Sequence, residues 1–154
     1  MRVDFLFLGQ TAESYLAQGI ADFEQRLARY CQPRIRVVKE RRGKMSEAAR
    51  IEAEGRDLLA QVEGKSFLVA LDPGGQALDS PQWAGLFRQW EGQGRRTVSF
   101  VVGGAWGLSN EVRATAGLVL SLSPLTFTHE MARLILLEQV YRAFNILAGS
   151  QYHK

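Results

Sequence analysis

The side chains able to do chemistry gather toward the C-terminus. His129 and Arg133 lie four positions apart, as do Glu138 and Arg142, and the chain closes on Tyr152-His153-Lys154. Residues i and i+4 share a helix face, so Glu138 and Arg142 are spaced to pair, and His129 and Arg133 face one side at a helix start. His153 is the tail residue whose ordinary pKa lies near neutrality, which suits a general base. Arg133 and Arg142 suit the stabilisation of developing negative charge. Chain ends are ordinarily frayed and polar. An aromatic ring, an imidazole and a cation there point to a tail that is used.

Other chemistries are poorly supplied. Gly103-Gly104-Ala105-Trp106-Gly107 invites a dinucleotide-binding reading, but the fingerprint would need glycine at Val102, at the first strand, with an acidic residue about 20 positions on. No phosphate loop of the Walker type occurs. What remains is a glycine turn where backbone can approach a flat ligand. The two histidines are 24 positions apart and no Cys/His/carboxylate cluster has ligand spacing, so no metal is expected. The lone Cys31 reads as a half-buried small hydrophobe and excludes an internal disulfide.

The elements that must hold these groups alternate. Strands are expected at Val3 to Leu8, over Ile35, Val37 and Val38, at Phe67 to Leu71, at Val98 to Val102 and at Leu118 to Leu122. Thr11 is placed to cap a helix to about Tyr30, ended by Pro33. Ser46 begins a second helix, and Ser80-Pro81 a third with Pro at its first position. Ser109 caps a short fourth, and the last runs from about His129 to Leu147 with Gly149 as its stop. The strands are continuous apolar runs, the pattern of a mostly parallel sheet covered on both faces. Ligands of such sheets bind beyond the C-terminal strand ends. The candidate loops are therefore Asp72 to Gln76, Gly103 to Leu108 and Ser123 to Thr128.

At 154 residues the chain is a single domain, 46% hydrophobic and 23% charged, with no run approaching a membrane span and no targeting segment, which points to the cytoplasm. A net charge of +3 permits a nucleic-acid partner without demonstrating one. Lys39, Arg41, Arg42 and Lys44 crowd one stretch after Arg34 and Arg36, readable as a solvated loop or as a phosphate-contacting patch. The last helix carries apolar residues on nearly every face, Leu137 among them. A helix of that kind must be buried, and so short a chain has little left to cover it, which makes a homodimer the expectation.

The segments VVGGAWGLS at 101–109, LSLSPLTFTH at 120–129 and RLILLEQVYRAFNILAGSQYHK at 133–154, with Leu71-Asp72, resemble the RlmH family. These are SPOUT-class methyltransferases that modify N3 of a pseudouridine in large-subunit (23S) ribosomal RNA. The resemblance spans the whole chain, and EQVYRA at 138–143 and the terminal YHK are its most specific parts. It implies a single-domain α/β fold with a C-terminal trefoil knot, S-adenosylmethionine as cofactor, a homodimer, and ribosomal RNA as substrate, with the assembled 70S ribosome favoured. By position it implies a cofactor pocket of Leu71, Gly104, Ser123, Pro124, Leu125, Thr126, Phe127 and Thr128. It places His129, Arg133, Glu138, Tyr141 and Arg142 as helix-borne polar residues and Tyr152 and His153 in a functional tail. The chain departs from its relatives at Thr128, where they often carry Pro, and at Trp106, where they often carry a small acidic or amide residue. A non-enzymatic ribosome-binding module is the alternative and predicts no binding of S-adenosylmethionine; a nucleotide-dependent enzyme of small metabolites is the other, against which the failed fingerprint counts.

Overall fold

A computed structural model describes residues 1–153. Five strands, β1 (Arg2–Leu8), β2 (Gln32–Val38), β3 (Phe67–Ala77), β4 (Thr97–Val102) and β5 (Leu118–Ser121), form one sheet in the order β2-β1-β4-β3-β5, and every pair is parallel. Five helices connect or follow them: α1 (Ser14–Leu27), α2 (Glu47–Ala60), α3 (Ser80–Gly92), α4 (Asn110–Thr115) and α5 (His129–Leu147). A short 3₁₀ turn at Gln151–His153 follows α5.

The continuous apolar strands are explained by burial on both sides. Phe5, Phe7, Val69, Leu71, Phe100 and Val102 face α1, α3 and α5, and Phe5 stacks on its ladder partner Phe100 with ring centroids 5.9 Å apart. Leu6, Leu8, Leu68, Ala70 and Val101 face the other way, against Leu58 of α2 and Val112 of α4.

Several local expectations are corrected. Thr11 does not cap α1. The N-cap is Glu13, which makes no side-chain capping bond, and the Glu130 carboxylate accepts from the Ala12 and Glu13 N–H groups at 2.5 and 3.2 Å instead. A long-range carboxylate thus fills the place a local hydroxyl was expected to take. Pro33 does not end α1, which stops at Leu27; it lies within β2, where an edge strand tolerates a missing N–H. The cap of α3 is Asp79 rather than Ser80, in a reciprocal capping box with Gln82.

β3 does not end at Leu71. Both Leu71 and Gln76 pair with Leu120, so Asp72 to Gly75 loop out of the ladder and the strand resumes. A Cβ on Gly75 would sit 2.7 Å from the Leu120 carbonyl carbon, so only glycine lets the bulge close on β5.

The last helix is buried largely by its own chain. Leu136, Leu137, Val140 and Phe144 join the core beneath the sheet, α1 and α3, and Leu137 is fully buried there. Leu137 therefore needs no partner chain to cover it. Met131 and Ile135 are the apolar residues on the opposite side of α5, half-buried and outside the core cluster.

Candidate active site

Two strand-end loops, the end of β4 and the start of α5 converge on one cleft. Leu71, Asp72 and Pro73 supply the wall from the β3 bulge, and Val102 closes the floor at the end of β4. Ser121 to Ser123, Leu125 and Phe127 supply the opposite wall, and Ala132 in the first turn of α5 seals the back. The loop after β5 folds on its own hydroxyls: Ser121 Oγ donates to the Ser123 carbonyl at 3.1 Å, and the Leu125 N–H donates to Ser123 Oγ at 3.0 Å.

Of the residues expected to line a cofactor pocket, the cleft gathers Leu71, Ser123, Leu125 and Phe127. Pro124 and Thr126 are exposed and lie outside its lining. The Thr128 hydroxyl caps α5, accepting from the Met131 N–H at 3.2 Å. Gly104 is displaced to the other side: a Cβ there would meet Leu8 Cδ2 at 3.1 Å, on the face covered by α2 and α4. The restricted glycines are its neighbours. A Cβ on Gly103 would lie 2.6 Å from the Gly107 carbonyl oxygen, and Gly107 has φ +84°. A bridge between Gly104 and Gly107 pins the turn, and Trp106 projects from it 59% exposed.

Arg113 ties two of the loops together. Its Nη1 donates to Asp72 Oδ2 at 2.9 Å and to the Leu108 carbonyl at 2.8 Å, fixing the β3 bulge to the end of the glycine turn. Sequence reasoning missed it, because Asp72 and Arg113 carry no local pattern that links them.

The helix-borne polar residues separate into two groups. Arg133 is fully buried, bonded through Nη1 to the Gly9 carbonyl and Thr11 Oγ1, each at 3.0 Å, and through Nη2 to the Leu8 carbonyl at 2.5 Å. Its guanidinium lies 5.0 Å over the Phe7 ring. Burial lowers its pKa from the ordinary arginine range. It faces the β1 end rather than the cleft, so it does not supply charge there. His129, half-buried, opens α5 beside it.

The second group is the tail. Arg142 donates to Glu138 Oε1 through Nε at 3.0 Å and Nη2 at 2.5 Å, the expected i, i+4 pair. Tyr152 folds back onto it: its hydroxyl donates to Glu138 Oε1 at 3.2 Å, its ring meets Tyr141 edge-on at 4.8 Å, and Arg142 lies 4.8 Å over the ring. Burial first, and then the Glu138 charge, push the Tyr152 phenol above its usual range, so it remains a donor. His153 is exposed beside it, and Lys154 lies outside the described residues. Along α5, Arg142 lies about 15 Å from Ala132 and Glu138, which Tyr152 reaches, about 9 Å, at 1.5 Å per residue.

Cys31 is remote from the cleft, and burial pushes its thiol up to about 12, which leaves it inert. Among the described residues no group of three or more His, Cys, Asp or Glu is placed to hold a metal, and no helix is long and apolar enough to cross a membrane. The cleft is small, about 80 Å³, with apolar walls at Leu71, Val102 and Phe127 and polar groups of Asp72, Ser121 and Ser123 in its lining.

Comparison with known proteins places the whole chain. A family model described as "Predicted SPOUT methyltransferase" matches residues 1–153. The chain is 42% identical over 154 residues to "Ribosomal RNA large subunit methyltransferase H" of Desulfotalea psychrophila, covering all of both chains. It is 40% identical to the protein of the same name from Syntrophotalea carbinolica, covering 99% of each. Among solved structures, a probable methyltransferase from Bordetella pertussis Tohama I superposes with a TM-score of 0.55 at 16% identity, over 93% of this chain and 96% of that one. A probable methylase family protein from Haemophilus influenzae Rd KW20 gives 0.55 at 11% identity, over 99% and 70%. These two show a shared fold.

Proposed function

The chain belongs to the SPOUT methyltransferase family, with ribosomal RNA large subunit methyltransferase H proteins as full-length relatives, and from that premise we propose that it methylates large-subunit ribosomal RNA, at N3 of a pseudouridine, with S-adenosylmethionine as methyl donor. Methyltransferase activity is the family's own. The RNA substrate rests on the names of the relatives, and the pseudouridine position on what the resemblance to the RlmH family implies. The observation that supports the cofactor assignment is the cleft itself, built from two loops and the end of β4 at the C-terminal strand ends. We place the enzyme where ribosomes are, in the cytoplasm, with the assembled ribosome as substrate.

When bound, the donor supplies a sulfonium methyl that needs little activation. The protein's work is alignment, water exclusion and removal of one proton. Leu71, Val102 and Phe127 would hold the donor's nucleoside away from water, and Arg113 fixes the Asp72 wall to the end of the glycine turn at Leu108. The acceptor N3–H is a weakly acidic imide between two carbonyls. Methylation of N3 would release its proton, for which His153 is the candidate acceptor in the tail, and the Arg142 cation would offset charge developing on the flanking oxygens. Tyr152, bonded to Glu138, positions the tail.

We infer that this tail serves the cleft of a second copy, because it packs on Glu138 and Arg142, about two to three turns beyond Ala132 on α5. A homodimer is therefore part of the proposal, with the outer face of α5 at Met131 and Ile135 as its contact. Transfer of labelled methyl from S-adenosylmethionine to ribosomes lacking the modification, with the product nucleoside mapped by mass spectrometry, tests the reading. A methylated pseudouridine in large-subunit RNA is expected; binding to ribosomes without methyl transfer or cofactor binding would leave only a ribosome-binding module.

A further inference from the structure

Beside the cleft, on the same edge of the sheet, the ends of β2, β1 and β4 stand in a row. Leu8 pairs with Val38 and Phe7 with Val102, so the segments starting at Lys39, Gly9 and Gly103 are neighbours at about 5 Å per strand. A second concavity of about 320 Å³ opens there, lined by Gly9, Gln10, Val37, Lys39, Glu40 and Arg42.

The basic stretch around it divides into engaged and unengaged cations. Arg34 is bonded to Asp4, 3.0 Å from Nη2 to Oδ2, and shares Glu63 with Arg36. Arg41 holds Asp57 through two bonds at 2.6 and 2.7 Å. Lys39, Arg42 and Lys44 are exposed and form no ion pair among the described residues. Glu40, the one carboxylate in the lining, is folded over Gly9, whose Cβ position lies 2.7 Å from the Glu40 carboxyl carbon.

The next loop along the row presents Trp106. Trp83 and Trp90 are each 3% exposed in the core, whereas Trp106 is 59% exposed. Its turn is held by the Gly104–Gly107 bridge and by the Gly107 N–H donating to the Gly104 carbonyl at 3.1 Å. An indole on a pinned turn is a stacking platform that loses little freedom on binding.

We propose that this row of strand ends is a landing surface for single-stranded RNA, with Lys39 and Arg42 taking backbone phosphates and Trp106 stacking on an unpaired base. It rests on the reading that RNA is the substrate. Unpaired cations bordering an isolated exposed aromatic are the combination that holds single-stranded nucleic acid with little regard to sequence. Exposed cations at Lys39, Arg42 and Lys44 around this concavity favour a polyanion over a protein partner. The surface lies beside the cleft, so a strand bound there delivers the neighbouring nucleotide to the donor.

Tryptophan emission tests this directly, because Trp106 is the exposed one of three. Acrylamide should quench Trp106 in the free protein, and single-stranded oligoadenylate should quench it further and shield it from acrylamide. W106A should weaken oligonucleotide binding about tenfold and W106F much less. K39Q/R42Q should lower the slope of log affinity against log salt by about 1.4, at about 0.7 for each lost phosphate contact. All variants should keep wild-type melting and calorimetric binding of S-adenosylmethionine. Emission indifferent to RNA, an unchanged salt slope, or a Trp106 already shielded in the free protein by a second copy would each overturn the proposal. If RNA quenches Trp106 but ribosomes are not methylated, the enzymatic reading fails and this surface stands; normal methylation with no Trp106 response and no salt effect removes the surface alone.

Discussion

Arg133 Nη1 donates to the Gly9 carbonyl at 3.0 Å in the interior, tying α5 to the end of β1. No ion pair with a carboxylate neutralises it among the described residues. Its Nε has no partner, and its other two nitrogens serve Leu8, Gly9 and Thr11. Removing the side chain would orphan two buried carbonyls and leave a large void. Arg133→Ala should destabilise the fold by about 3–5 kcal/mol in denaturant unfolding, the scale of a broken buried charged network. A loss under about 1 kcal/mol, with methyl transfer abolished, would return Arg133 to the chemistry.

Glu130 provides a pH signature. The Ala12 N–H first, and the Glu13 N–H with it, hold its carboxyl below the ordinary 4.5. A carboxyl depressed in the folded state stabilises above its unfolded value and loses that contribution as pH falls through the folded value. Stability should therefore decline from about pH 4.5 downward, and Glu130→Gln should flatten that decline while lowering stability at pH 7. Equal acid slopes for both proteins would exclude the α1 cap as a cause.

The glycine turn discriminates between two adjacent positions. Gly103→Ala forces backbone apart, since its Cβ meets the Gly107 oxygen at 2.6 Å, whereas Gly104→Ala meets only the end of the Leu8 side chain at 3.1 Å. S-adenosylmethionine affinity, measured by calorimetry, should fall at least about tenfold for Gly103→Ala, as the adjoining Val102 floor of the cleft shifts, and little for Gly104→Ala. The reverse order would place Gly104 in the site.

Two positions on α5 separate folding from association. Leu137→Glu places a charge in the core and should prevent folding, while Ile135→Glu, on the outer face, should give a folded monomer. Sedimentation velocity with circular dichroism reads both. A folded Ile135→Glu protein that remains dimeric would move the interface elsewhere.

Tail action between copies is open to complementation. A chain ending at Gln151 should bind S-adenosylmethionine but transfer no methyl, and losing the Tyr152 contacts should cost about 1 kcal/mol of stability. A Phe127→Asp chain should lose the cleft and keep the tail. Mixed and refolded together, the two should regain methyl transfer that neither has alone. Failure of the mixture, with heterodimers shown to form, would mean the tail serves its own chain.

The periodicity of apolar residues determined most of the architecture. Continuous runs such as Val98 to Val102 can only lie in a sheet buried on both faces, and parallel order places the ligand loops at one edge. The Ser46, Ser109 and Gly149 punctuation is local chemistry, legible because a cap depends on residues within a few positions of itself. The Glu138–Arg142 pair was legible for the same reason. Contacts distant in sequence were not. Nothing near Thr11 shows that Glu130 will cap α1 in its stead, nothing in an arginine four places after a histidine shows that it will be buried on β1 carbonyls, and nothing links Asp72 to Arg113. The all-round apolar character of α5 established burial but not by what. Only packing decided that α1, α3 and the sheet cover Leu137 and leave Ile135 outward, because what covers a face depends on elements that are distant in the chain and adjacent only after folding.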